Sequence, residues 1–339
     1  MADWGTSYHG GESAEELQQK HSRVADNSLV VQPSVNNHHG ISAMFAAMAA
    51  IEGKRLARFR PSILIGTALI ASGLFHLTLL WVTGADWSGP LSLRKPGLFG
   101  VSAGVTVWSI AWVLTQFEPR RYDQRVASFL SGGLLLEVGL ITLQQWRGVP
   151  SHFNRATALD ATIESMMLGL ILVVTAGIAW LCWRSRWLLP MLESHAIAIR
   201  AGLWLLLIAC GLGFLVTIAG EMNLAKGNSP EIWGRAGVLK YPHGAALHAI
   251  QTLPLLSALL LKLRASHSAW LIRAAVAAHL LFLAHALWQT FLGRARMELD
   301  AISVAALAAA GLLLLLPIVA VLHGAVVLAR ASWSTDRSH

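Results

Sequence analysis

Apolar runs as long as a bilayer is thick recur along this chain from Pro61 to Arg330, and no other feature limits its fold so tightly. About 20 apolar residues, at 1.5 Å rise per residue, carry a helix across a hydrocarbon core of about 30 Å. Composition agrees. Of 339 residues, 55% are hydrophobic and 13% charged, where soluble domains carry about 25% charged residues. The expected fold is all-α, a polytopic transmembrane helical bundle of about eight spans. They read as 61–83, 97–115, 126–146, 160–183, 199–222, 242–263, 269–291 and 300–330. The last is over-long and is expected to tilt or to break at Pro317.

Around this transmembrane domain, residues 59–330, lie two polar segments. Residues 1–58 form a polar tail with no apolar stretch at its start, so no cleavable signal peptide is expected. Near 41–58 the apolar part of ISAMFAAMAAIEGKRLARFR is too short to span. With Lys54, Arg55, Arg58 and Arg60 behind it, it reads as an interfacial helix on an anionic leaflet. His38 and His39, in NNHHG, have no third metal ligand nearby and read as solvated linker. Residues 331–339 form a short C-terminal tail. No internal repeat is visible, so nothing supports an inverted-repeat architecture.

The net charge of +8 would suit nucleic acid, but the basic residues sit in short clusters at span ends. That pattern sets membrane orientation, and no nucleic-acid partner is expected. The clusters 54–60, 120–125, 184–200 and 262–273, with Arg330 and Arg337, fall on one side. Both termini are therefore expected in the cytoplasm. The bias is not absolute: Arg94, Lys95, Arg147, Arg155, Arg235, Lys240, Arg294 and Arg296 fall on the other side. Cys182 and Cys210 lie within apolar runs and read as small buried hydrophobes. Many of the 14 tryptophans fall near span ends, as in an aromatic belt.

Three polar stretches share the outer side: WSGPLSLRKPG (87–97), QWRGVPSHFN (145–154) and KYPHG (240–244). Loops that only join helices do not need so many donors and rings. One explanation is a structured cap over an outward-facing site; the plainer one is turns that satisfy their own backbone groups.

Ionisable groups within spans are costly and mark candidate sites. His76, His248 and His285 each lie about six or seven residues from the outer end of their span, roughly 9–10 Å deep. Asp160 and Glu164 share a helical face, as do Glu137 and Gln144. Gln251 and Gln289 follow His248 and His285 at three and four positions, placed to orient their rings. Three chemistries fit. In the first, His76 with His248 or His285 holds haem b, and Arg94 and Lys95 meet its propionates. Its work would be electron transfer or oxidation of a small molecule, with a quinone or periplasmic redox partner. In the second, the three imidazoles hold Cu or Zn, and Asp160 or Glu164 serves as ligand or catalytic base. In the third, a small-molecule transporter or channel uses a His/Glu/Arg site, with Gln144, Arg147, His152 and His243 as substrate-binding candidates. Each has a bland counterpart: single histidines bond neighbouring helices, and Arg147 snorkels beside Trp146.

RKPGLFGVSAGVTVWSIAWVL, QQWRGVPSHFN and the His243–Gly244 pair together resemble a family of bacterial polytopic membrane proteins. The likeness covers spans one to six. It implies a bacterial inner-membrane setting and no particular activity; in that setting the charge bias of the loops puts the site on the periplasmic side.

Overall fold

The computed structural model describes residues 53–336, apart from residue 90 and the side chains beyond residue 330. Residues 53–57 are helical; the rest of the expected interfacial helix, with His38 and His39, lies outside the described residues. Nine α-helices follow among the described residues: α1 (Arg60–Thr83), α2 (Arg94–Leu114), α3 (Asp123–Trp146), α4 (Ala158–Arg184), α5 (Glu193–Ala225), α6 (Lys240–Leu247), α7 (Ala249–Lys262), α8 (Ser268–Phe291) and α9 (Ala301–Asp336). Because α6 and α7 run on as one span, they make eight helical segments long and apolar enough to cross a membrane. A two-stranded antiparallel hairpin, β1 (Ile232–Trp233) with β2 (Gly237–Val238), interrupts the α5–α6 connection. The protein is an all-α, multi-pass bundle in contact with lipid.

Helix ends follow local chemistry. Pro61 opens α1, where a missing N–H costs nothing, and Gly84 closes it at φ 61°. Thr157 caps α4: its hydroxyl accepts from the Asp160 N–H. Of the two alternatives for the last span, a tilt or a break at Pro317, the break does not form, and the sixth span is divided. The helix α9 runs unbroken past Pro317 and on to Asp336, well beyond residue 330. The sixth span breaks at His248, six residues before Pro254. Proline removes the bond to the carbonyl four residues back and crowds it, so the preceding turn loosens.

Neighbouring helices approach to different degrees. The pair α1 and α2 is closest, because glycines face each other: a Cβ on Gly104 would lie 2.5 Å from the Gly66 carbonyl oxygen, and one on Gly100 2.8 Å from Gly73 Cα. Trp108 Nε1 then reaches across to donate to the Ile63 carbonyl at 3.0 Å. Two apolar cores result. One gathers Ile110, Leu114, Leu130, Ile178, Leu181 and Leu203 from α2 to α5. The other gathers Leu205, Leu253, Leu260, Ile272 and Leu283 from α5, α7 and α8. Outside them, large apolar side chains such as Leu64, Trp81, Phe129, Leu172 and Leu312 stay exposed. A helix apolar on all sides needs lipid as its second solvent.

Spans alternate in direction, so the connections 84–93, 147–157, 226–239 and 292–300 share one face, here the knot face. The opposite, basic face carries the 115–122, 185–192 and 263–267 connections. It is secured by one buried pair: Arg184 and Asp123, each with a side chain 1% exposed, form a two-pronged salt bridge. Arg184 also donates to the Glu118 carbonyl and lies over the rings of Phe117 and Trp180.

Candidate functional site

The stretch 145–154 folds as a braced knot. Asp160, at the first turn of α4, accepts from Gln144 Nε2 at 3.1 Å, from Arg147 at 2.7 Å and from the Thr157 hydroxyl at 2.7 Å. Arg147 also donates to Gln144 Oε1. One turn later Glu164 accepts from the Phe153 N–H and from Arg155 Nε, each at 2.7 Å. Phe153 has a left-handed backbone, φ 57°, which a side chain normally resists. The Glu164 bond holds it there, and its ring lies on Gly220 of α5, where any Cβ would overlap it. Gln145 ties the knot to the 84–93 connection through the Leu91 carbonyl at 2.6 Å. The carboxylates of Asp160 and Glu164 are thus spent on bracing, and so are Gln144 and Arg147.

What the knot delivers is His152. Its ring is half-buried, bonded at Nδ1 to the Ser151 hydroxyl at 3.0 Å, and set 6.3 Å from the Phe99 ring. Phe99 lies four residues after Lys95, so both belong to the face of α2 under the imidazole. Burial, then the charges of Lys95 and Lys240, push the His152 ring down to about 3, so it is neutral at pH 7.

Lys95 stands at the centre of this region. The charges of Lys240, Glu231, Arg94 and Glu137 all act on its ammonium, yet it forms no ion pair or hydrogen bond among the described residues. Lys240 is instead paired with Glu231, and Arg94 lies over the Trp87 ring. Burial works against charge on Glu231, but the bond and charge of Lys240 outweigh it and hold the carboxyl below its usual range. The other carboxylates of this half are engaged too: Asp86 with Ser88, Glu221 with Arg155, Glu298 with Arg235, Asp300 with Arg294. Glu137 is the exception among the described residues. It is 8% exposed, within the bundle, and its Oε2 has no partner. Lys95, Glu137 and His152 are therefore the residues of this region not taken up by bracing or ion pairs among the described residues. Glu137 was visible in the sequence as a span carboxylate; its isolation was not.

Lys95 also breaks a local rule. Arg94 and Lys95 open α2 with no acid in its first turn. A helix N-terminus already carries positive potential, so two cations there repel it and each other. An anion would relieve both.

The three histidines of matching depth occupy separate neighbourhoods. His76 donates from Nδ1 to the Ser72 carbonyl at 2.7 Å and accepts at Nε2 from Trp146 at 3.1 Å, so both ring nitrogens are in use. His248 is exposed, bonded through Nδ1 to Gln251 Oε1 at 2.7 Å; Gln251 in turn reaches Thr106 on α2 at 3.0 Å. His285 is 3% exposed, edge-on to Tyr241, and neither nitrogen has a hydrogen-bond partner among the described residues. Gln289 does not orient it: its amide donates to the Glu298 carbonyl, and its own oxygen is unpartnered. His243 bonds the Ala209 carbonyl on α5 at 2.7 Å. Among the described residues no three His, Cys, Asp or Glu side chains gather as a metal-holding group.

Fold and site together define a multi-pass membrane bundle with a braced polar cluster in one half. No protein-family model matches the chain, and no curated protein or solved structure matches it. The likeness of its RKP, SHFN and HG motifs to a bacterial family gains no support from these comparisons, and function rests on the geometry.

Proposed function

We propose that this protein is a small-molecule transporter or channel of a bacterial inner membrane, with its knot face toward the periplasm, and that the polar cluster of Lys95, Glu137 and His152 binds an anionic group. The observation that carries the reading is that Lys95 and Glu137, beside His152, have no ion pair among the described residues, in a half whose other described acids are engaged. Lys95 and the N-terminus of α2 supply the positive field, in a low-dielectric setting where it acts strongly. His152 remains neutral and offers its free ring nitrogen as a hydrogen-bond partner. Glu137 competes with the bound anion for Lys95, so its protonation favours binding.

Thermal stabilisation of the purified protein by acetate, benzoate and phosphate tests this. Removing one charged partner from a buried bond costs about 1.5–3 kcal/mol, so Lys95→Gln is expected to weaken binding by tenfold or more. Glu137→Gln is expected to tighten it. Unchanged affinity in Lys95→Gln overturns the reading.

A redox function is the second reading, favoured by the unpartnered ring of His285. Haem b, or in its place Cu or Zn, would use His285, His76 or His248. Iron at His76 Nε2 must displace the Trp146 indole, so the residues here fit one ready axial ligand rather than a facing pair. A quinone or periplasmic protein would be the redox partner. An absorption spectrum of the purified protein, oxidised and then reduced, with elemental analysis, decides it. A Soret band with stoichiometric iron would replace the transport reading; a colourless, metal-free protein from haem-replete cells ends the redox one.

A further inference from the structure

A second feature lies at the opposite face. Between the start of α3 and the end of α4, an open groove of about 470 Å³ is lined by Tyr122, Arg125, Val126, Phe129, Gly177 and Trp180. Gly177 deepens it, since a Cβ there would lie 2.5 Å from a Leu130 methyl. Its walls are apolar and face the membrane, and its rim is not. Arg125 is exposed and has no ion pair or hydrogen bond among the described residues. The nearest acid on its helix, Asp123, is neutralised by Arg184. The Tyr122 hydroxyl accepts from Arg120 at 2.7 Å, which leaves its hydrogen free to donate outward. Arg120 and Arg186, stacked over Trp187, add positive charge beside it.

We propose that this groove holds an anionic phospholipid of the leaflet on the basic face. One acyl chain lies along Val126 and Phe129 and over Gly177, and the phosphate meets Arg125 and the Tyr122 hydroxyl. The charge complementarity argues for it. A cation at the membrane boundary with no protein partner, above a chain-wide apolar trough, matches a headgroup over its tail. The trough runs along the spans, as an acyl chain does, and a soluble ligand would gain little from walls open to lipid.

Native mass spectrometry from nanodiscs of phosphatidylglycerol and phosphatidylcholine in equal parts tests the proposal. The wild type is expected to retain phosphatidylglycerol preferentially. Arg125→Gln is expected to lower that preference roughly fivefold, the effect of one basic side chain at an anionic surface. Arg121→Gln, which removes a charge on the same face outside the groove, is expected to leave it unchanged. No preference in the wild type, equal losses in both variants, or a second copy of the chain retained in place of lipid would each overturn the proposal.

Discussion

Replacing either partner of the Arg184–Asp123 pair is expected to cost more stability than any comparable surface change, and replacing both is expected to cost much less. Both side chains are 1% exposed. Without Asp123, the Arg184 guanidinium keeps the Glu118 carbonyl at 2.5 Å and the faces of aromatic rings, with no counter-charge. Without Arg184, the Asp123 carboxylate keeps the Arg120 N–H at 2.8 Å and no cation. An uncompensated buried charge costs about 3–5 kcal/mol, whereas an apolar pair of similar volume is often neutral. Asp123→Leu and Arg184→Leu should therefore each lose about 3–5 kcal/mol, and the double variant much less than their sum. Denaturant titration in mixed micelles, read with a thiol-reactive dye, provides the assay. Cys182, 3% exposed and two residues from Arg184, becomes reactive as this region opens. Single variants within about 1 kcal/mol of wild type, or losses that add in the double variant, would refute the reasoning.

His152 gives a pH prediction. Its folded ring titrates near 3, against about 6.5 when unfolded. Between those values the unfolded state binds the extra proton, so stability falls as pH falls through that window. At pH 5 the loss is about 2 kcal/mol, and His152→Gln should abolish it; melting at pH 7.5 and pH 5 in both proteins checks this, and equal acid sensitivity would contradict the lowered titration of this ring. Orientation is tested by single cysteines at exposed loop positions. Asn228→Cys should react with an impermeant reagent from outside intact cells, and Ser266→Cys after lysis; the reverse pattern would invert the topology and place the polar cluster on the cytoplasmic side.

The spans were legible because lipid imposes one condition on each of them separately: enough apolar residues, and backbone bonds closed within the segment. The starts at Arg60, Asp123 and Ser268, and the ends at Thr83, Trp146 and Phe291, fall within a few residues of the expected positions. The polar stretches at 87–97, 145–154 and 240–244 were likewise legible as more than connectors. Their roles were not. Asp160 and Glu164 looked like bases because two carboxylates on one face resemble a catalytic pair; in space both turn to the knot's own arginines and backbone. Equal depth placed His76, His248 and His285 in one layer, but depth says nothing about azimuth, and packing sent them to different neighbours.

The sequence by itself determined that this chain is a membrane bundle, how many times it crosses, and which side collects the basic clusters, since each depends on composition within a single segment. The tertiary structure alone decided which charges are neutralised. Arg147 finds Asp160, Arg155 finds Glu164 and Glu221, Lys240 finds Glu231 and Arg184 finds Asp123, while Lys95 and Glu137 find no ion pair among the described residues. Pairing depends on contact across helices, and in a low-dielectric interior an ångström of approach separates a silent ion pair from a charge that must find its partner elsewhere.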